Sequence, residues 1–446
     1  MTVPHADGEV PGRTLPAAEP NVYDELPYRS MPIEWTAPER LALASALHGG
    51  PRARLNGYRV LEIGCADGSN LIPMACHRPH ATFVGIDSAR SQLALADHDK
   101  KSLGLDNVEF VSADLCAADQ HLSGEFDFII AHGVFSWIPD ATRDAMLAFC
   151  ARHLRRDGLL YLNYNTYPGW HVRGLIRRLL LSRTRQAAGL RERALLSQEI
   201  ATQLALSLGD GDHPFTQLLV RELQFVAEHH PSYIAHEYLA ADNRAYWRSD
   251  FLKLAGQHGF VHVADADFNY TSGRVPAAAI PACLQQDAGT DENGDDAIDL
   301  LCYRQLHSPI LCLTPLVRRP LSLAEFTALT VASTLSAGAT GGQGSNLFLH
   351  PSGYEVEAKE SGMQAALTQL RTRWPRGMRI GDLFPDVASV MDDIKLLHQN
   401  GLVELRCVEA CSPHASAELL NRMEARRGHY ITTAYHTREA VPGEWT

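Results

Sequence analysis

The first third of the chain alternates short apolar runs with longer stretches of helical spacing. The runs at 59–63, 82–86, 108–111, 127–131 and 159–163 are rich in Val, Ile, Leu and Phe and too short for buried helices, so they predict buried strands. Helical patterns between them predict right-handed βαβ units and a parallel sheet. Ahead of the first strand, 34–47 predicts a helix with Pro38 in its first turn and the break His48-Gly49-Gly50-Pro51 after it.

Past the fifth run the rhythm changes. Residues 171–240 form long Leu- and Arg-rich helical patterns, which predict an inserted helical layer. A helix-then-strand unit returns at 251–263. Beyond the acidic loop 286–298, a β-like run at 299–303 and 310–313 follows. Together these supply a sixth and a seventh strand to an α/β core. From about 316 the pattern is that of a separate unit: a helix over 321–335, a Gly-rich break at 336–345, a hairpin over 347–358, helices near 363–370 and 387–397, and a strand containing Val403. Helices with a small hairpin predict a winged-helix-like α+β domain serving packing or dimerisation. DNA binding is disfavoured because its helices are not notably basic.

The chemistry concentrates in 58–73. There an apolar run (Val60, Leu61, Ile63) breaks at Gly64 and Gly68 and resumes as a helix, a strand-turn-helix cradle for a small ligand. The second run ends in Asp87, where a carboxylate suits a ribose diol. Asp114 ends the third run, within reach of an adenine amino group, and His132 follows the fourth. Dinucleotide sites want G-x-G-x-x-G, whereas Glu62 to Gly68 gives E-x-G-x-A-x-G, which favours S-adenosyl-L-methionine (SAM) over a dinucleotide.

The E-x-G-x-A-x-G turn, Asp87 and Ala113-Asp114 together resemble class I SAM-dependent methyltransferases. More narrowly, GCADGSNLIPMA (64–75), AHGVFSWIPD (131–140) and YNTYPGW (164–170) resemble bacterial methyltransferases with a methyltransferase regulatory domain, among them the rickettsial protein lysine methyltransferases. The resemblance spans 21 to about 180. It implies a Rossmann-like, seven-stranded core holding SAM, with S-adenosyl-L-homocysteine as product. The cofactor set it implies is Tyr28, Glu62, Gly64, Cys65, Ala66, Gly68, Asn70, Asp87, Ser88, Ala113, Asp114, Leu115, His132 and Gly133. The segment 21–30, of pattern Tyr-Asp…Pro-Tyr-x-Ser, is expected to lie over the SAM pocket. The family often has Thr-His-Pro where this chain has Thr36-Ala37-Pro38, so no role of that histidine carries over. For the acceptor side, Tyr164, His132, Trp137 and Asn165 are the candidate catalytic residues, with Tyr167, Trp170 and His171 beside them. Tyr164 is expected to orient the nucleophile, and aromatic walls would lower a lysine's pKa by desolvation.

The resulting plan is a tail at 1–20, a SAM-binding core at 21–170, a helical insertion or cap at 171–245, completion of the sheet and regulatory region at 246–315, the winged-helix-like domain at 316–411 and a second tail at 412–446. A chain of 446 residues exceeds one core, in keeping with that plan. The net charge of −12 repels phosphate and argues against a nucleic-acid partner. Nine cysteines fall mostly inside apolar patterns, as reduced buried thiols do. Cys407, Cys411 and His414 lack a second ligand pair for zinc, and His236-Glu237 lacks the following histidine of a zincin, so no metal is expected. No signal peptide or membrane-spanning run is read, which points to the cytoplasm. The leading expectation is methyl transfer to a nitrogen on a protein or peptide, most directly a lysine. A small metabolite or natural-product peptide as acceptor, and a non-catalytic SAM-binding regulator, are the alternatives; an NAD-dependent dehydrogenase is a distant fourth.

Overall fold

Val60, Leu61 and Ile63 sit in the middle strand region of a seven-stranded sheet, because both faces of that strand are covered and a near-continuous apolar run is what such a position needs. The computed structural model describes residues 22–28, 30–209, 211–266, 294–313, 315–338, 346–374 and 376–407. The expected tails 1–20 and 412–446, most of the acidic loop, most of the Gly-rich break, and Cys283, Cys411 and His414 lie outside the described residues.

The chain opens with a short helix α1 (Val22–Glu25) and, after a 3-10 turn at Glu34–Thr36, helix α2 (Pro38–Leu47). Strand β1 (Arg59–Ile63), helix α3 (Leu71–His77), strand β2 (Thr82–Asp87), helix α4 (Arg90–Leu103) and strand β3 (Val108–Ser112) follow. Next come strand β4 (Phe126–Ala131), helix α5 (Asp140–His153) and strand β5 (Leu154–Leu162). A short strand β6 (Tyr164–Asn165) leads into helices α6 (Gly169–Arg183), α7 (Leu190–Leu208), α8 (Pro214–Glu228) and α9 (Pro231–Tyr238). Helix α10 (Arg248–Gln257), strand β7 (Phe260–Asp265), helix α11 (Gly294–Cys302) and strands β8 (Leu306–His307) and β9 (Pro309–Leu313) complete this part.

The sheet order is β3-β2-β1-β4-β5-β9-β7. The first five strands are parallel, while β9 runs antiparallel between β5 and β7. Strand order reverses between β1 and β4, so a crevice opens at their C-terminal ends, where ligands sit in such sheets. Alternate residues feed two cores. Leu61, Ile63, Ile129 and Leu160 point to one face, and Val60, Phe83, Phe128 and Tyr161 to the other.

Helices α6 to α9 pack on each other around Ile176, Leu180, Ala194, Leu223, Val226 and Tyr238, and Leu26 from the N-terminal segment joins this core. Two of them start alike. His213 and His230 each accept the amide of the residue two positions on, and each is followed by a proline at the first helical position, where no amide is missed.

Three expectations change. The run 299–303 is not a strand: Asp299 to Cys302 end α11, because buried Asp299 is held by Arg304 and by His307 at 2.6 Å, which a strand would pull apart. The helix expected over 321–335 covers only Leu323–Ala328, opened by a capping box of Ser322 and Glu325. It gives way to a strand at Thr330–Ala332, where β-branched Thr330 and Val331 pair with Met378–Arg379 and Glu404–Arg406. Finally, β5 starts at Leu154 rather than 159, its exposed Arg155 reaching Asp127 of β4 at 3.3 Å. The hairpin Leu347–Leu349 with Glu355–Glu357 and the helices Ser361–Arg373 and Val387–Gln399 form as expected. The C-terminal unit therefore has helices and small sheets around its own core.

Candidate active site

Glu62, Asp87, Asp114 and His132 end up at or just past the C-terminal ends of β1, β2, β3 and β4. The turn after β1 is shaped by its own hydrogen bonds. The amides of Gly64 and Cys65 donate to the Ile86 carbonyl, Gly68 to that of Cys65, and Ser69 to the Asp67 side chain. Gly64 and Gly68 both have φ of +73°. A Cβ on Gly64 would meet Val134 at 2.5 Å, and one on Gly68 would meet the Phe110 ring at 2.7 Å, so both glycines are required by backbone and neighbours alike. The turn thus offers a ligand a shaped wall more than a row of idle amides.

Asp87 clamps this wall to the next helix. Its Oδ2 accepts the Ala66 amide and its Oδ1 the Ala89 amide, both at 2.8 Å. A carboxylate has about four lone-pair sites, so this role is compatible with further donors such as ribose hydroxyls. Asp114 is exposed and accepts the Cys116 amide at 2.7 Å as the cap of a 3-10 turn, with Leu115 and Ala113 half-buried beside it. Ser88 is exposed at the start of the turn after β2. Cys65 is buried, its thiol pushed well up by burial, and it packs at Gly85 rather than presenting a nucleophile.

Glu62 carries the strongest ligand signal. Its Oε1 accepts from Asn70 Nδ2 at 2.7 Å, while Oε2 is buried with no partner. Burial pushes the carboxyl up to about 8. An orphaned buried carboxylate oxygen costs free energy until a donor arrives, and an α-ammonium such as SAM carries is a suitable one. Asn70 also accepts the Ile33 amide at 2.9 Å, tying the N-terminal segment to the cradle. This residue set fits SAM. Glu62 would face the amino group, Asp87 the ribose and Asp114 the adenine edge.

His132 belongs to a relay that sequence reasoning missed. The Trp35 indole donates to the Tyr161 hydroxyl at 3.1 Å, and that hydroxyl in turn hydrogen-bonds His132 Nδ1 at 2.8 Å. Burial lowers the His132 pKa to about 4, so the ring is neutral at physiological pH and a weak base. Gly133 is exposed, and its amide donates to Asn163 Oδ1 at 2.6 Å instead of facing the cradle.

The other acceptor-side candidates do not share one surface. Tyr164 is fully buried, its ring stacked on Phe251 at 4.0 Å and beside His307, within the sheet's core. That placement packs its ring against Phe251 and His307. Asn165 is buried, its amide donating to Ser136 Oγ and its side-chain nitrogen without a partner. Trp137 is half-buried and meets Trp170 edge-on at 5.7 Å, and Tyr167 stacks on His171 at 4.1 Å. Two aromatic pairs thus line the junction of core and helical layer.

On the other side, the segment 22–28 runs between the cradle and α9. Tyr23 stacks flat on His236 at 4.5 Å, Tyr28 meets the same ring edge-on at 5.6 Å, and His236 Nε2 donates to the Leu26 carbonyl at 2.6 Å. Burial, then the negative charges of Glu237 and Asp87, push the Tyr23 phenol up to about 12. One tyrosine therefore feels both the ribose-side acid and an acid of the helical layer.

Comparison with known proteins agrees with this geometry. Residues 61–160 match the family model of a methyltransferase domain, and residues 230–312 match a predicted methyltransferase regulatory domain. Uncharacterized protein RP789 of Rickettsia prowazekii is 31% identical over 298 residues, 66% of this chain and 53% of the relative. The chain thus spans about half of that relative's length. RP028 of the same organism is 26% identical over 238 residues, 53% of this chain and 95% of RP028. In fold, the chain is similar to PKMT2 from Rickettsia typhi in complex with AdoHcy, with a TM-score of 0.73 and 20% identity over 86% of this chain and 78% of the other.

Proposed function

We propose that this chain, which carries a methyltransferase domain followed by a methyltransferase regulatory domain, uses SAM to methylate a nitrogen nucleophile, a lysine side chain of a protein. The observation that carries the reading is the convergence of Glu62, Asp87 and Asp114 at neighbouring strand tips, with the Glu62 Oε2 atom buried and unpartnered in the match to the methyltransferase model. When bound, SAM supplies an electrophilic methyl on a sulfonium. The chain's own residues then have to hold the donor still, exclude water and deliver an uncharged amine. Asp87 and Glu62 do the first, and Ile33 and Trp35, bonded to Asn70 and Tyr161, do the second by covering the cradle. For the third, a lysine whose ordinary pKa is about 10.4 is desolvated between aromatic walls, which lowers it. No strong base is required, in keeping with the depressed pKa of His132.

A protein acceptor is supported by the fold likeness to PKMT2, which extends over the helical layer and the C-terminal unit as well as the core. Two measurements test the reading. Titration calorimetry with S-adenosylhomocysteine is expected to show binding that Asp87→Ala weakens roughly ten- to a hundred-fold, the equivalent of about 1.5–3 kcal/mol for a charged hydrogen-bonding group. Incubation of the protein with radiolabelled SAM and a bacterial lysate is expected to put label into protein. Label in small molecules alone would transfer the proposal to a metabolite acceptor, and no binding of the homocysteine product would end it.

A further inference from the structure

Glu237 lies on α9 within a chain of groups that the cofactor cradle does not use. It is half-buried, and among the described residues its carboxylate accepts no hydrogen bond and sits in no ion pair. Among the described residues the cation that acts on it, Arg173, is already committed: Arg173 Nε pairs with Glu222 Oε2 at 3.1 Å, and Glu222 Oε1 takes Gln305 at 3.1 Å. Among the described residues one positive charge therefore faces two carboxylates, a net negative charge that a cation would balance.

Its neighbours are phenols. Tyr233 stands one helical turn before it on the same face, and Tyr23 and Tyr28 both pack on the ring of the adjacent His236. All three are half-buried, as is Glu237, so part of each stays open to solvent. Each phenol is held above its usual range first by burial and next by the charge of Glu237. Tyr238, on the inner side, has a buried hydroxyl with no partner. A carboxylate among aromatic faces recognises an alkylammonium by charge and by cation–π attraction together. Tyr23 carries the same site to the donor side: its helix α1 packs on α4, the helix that follows Asp87, and its phenol feels that charge.

We propose that Glu237, lined by Tyr23, Tyr28 and Tyr233, receives the ammonium head of the acceptor lysine and positions its nitrogen beside the donor cradle. This rests on the transferase reading above and adds the residue that selects the acceptor. Glu237 first binds the ammonium and then takes up its proton, breaking the N–H bond, so that the uncharged amine attacks the donor methyl as the C–S bond breaks; the cradle residues remain those of the donor. Burial pushes the Glu237 carboxyl up to about 7, against the opposing pull of Arg173, so the site is anionic only above that pH.

The test uses the full chain saturated with S-adenosylhomocysteine. The probe is an alanine pentapeptide with a central lysine, compared with a norleucine counterpart that lacks the ammonium. Calorimetry is expected to show the lysine peptide binding at least ten-fold tighter, a preference that Glu237→Gln abolishes and Glu237→Asp partly keeps. Affinity for S-adenosylhomocysteine stays within two-fold in both variants. In the wild type the preference is expected to fade as pH drops through about 7, a readout that needs no variant to fold. A preference that survives Glu237→Gln, or a parallel loss of S-adenosylhomocysteine affinity, overturns the assignment. A wild type that binds S-adenosylhomocysteine but does not prefer lysine sinks this inference alone. One that ignores S-adenosylhomocysteine sinks the transferase reading with it.

Discussion

Glu62 sits in the middle of the sheet with one oxygen held by Asn70 and the other waiting for a donor. Because burial raises its pKa from 4.5 to about 8, the protonated form is the one the folded, ligand-free protein favours. The sign follows: its stabilising contribution is complete below about pH 4.5 and is lost as pH rises through about 8. Glu237, raised to about 7, adds to the same trend. Melting temperature without ligand is therefore expected to fall across this window, and Glu62→Gln to flatten the fall. Saturation with S-adenosylhomocysteine should also flatten it, since its ammonium favours the charged carboxylate. Equal slopes in wild type and variant would remove Glu62 as the cause. At this scale the acids of the cradle were legible because each ends an apolar run. The packing of Tyr164 was not, since its position after β5 does not say which way the ring turns, and the structure turns it onto Phe251.

Among the elements, the segment 22–28 is held chiefly by α9. His236 donates to Leu26, stacks on Tyr23 and meets Tyr28, and Ser232 Oγ donates to the Pro27 carbonyl at 2.7 Å. His236→Leu removes the buried hydrogen bond, a loss of about 1–3 kcal/mol to that attachment. Amide exchange across 22–28 is expected to speed up, with weaker retention of S-adenosylhomocysteine and little change in exchange at β1 or β4. Exchange that stays as slow as in the wild type would show that other contacts hold the segment. The strands and most helices of the core could be read directly because continuous burial on two faces writes itself as uninterrupted Val, Ile, Leu and Phe. Elements decided by distant partners could not. The stretch 299–302 looks extended until Asp299 finds Arg304 and His307, and Thr330-Val331 leaves a helix only because Met378 and Leu405 are there to pair with it. The same reason hid Glu237. Its neighbours Tyr23 and Tyr28 lie some two hundred positions away in sequence, and the only local hint was an acid inside the aromatic run Tyr233-Ile-Ala-His-Glu-Tyr238.

At the scale of the whole molecule, α2 joins the sheet to the C-terminal unit. Leu41, Ala42 and Ala44 enter the sheet's core, while Leu43 enters the core of the C-terminal unit with Leu47 against it. Arg40 pairs with Glu404 at 3.0 Å, and Cys407 Sγ lies 3.3 Å from the Glu39 carbonyl. Leu43→Ala is expected to cost about 2–5 kcal/mol. The effect should appear first in the C-terminal unit: denaturant unfolding followed by exchange would show 361–407 opening before the sheet, where the wild type opens later or together with it. A uniform loss would instead mean that α2 belongs to one cooperative core. Among the described residues no helix is long and apolar enough to cross a membrane.

Because the ten-residue helix α2 wears the apolar surface that the C-terminal unit needs, that unit is not an interchangeable module. A chimaera that imports a relative's C-terminal half must also import that relative's counterparts of Leu43 and Leu47, or the graft will meet a mismatched seam.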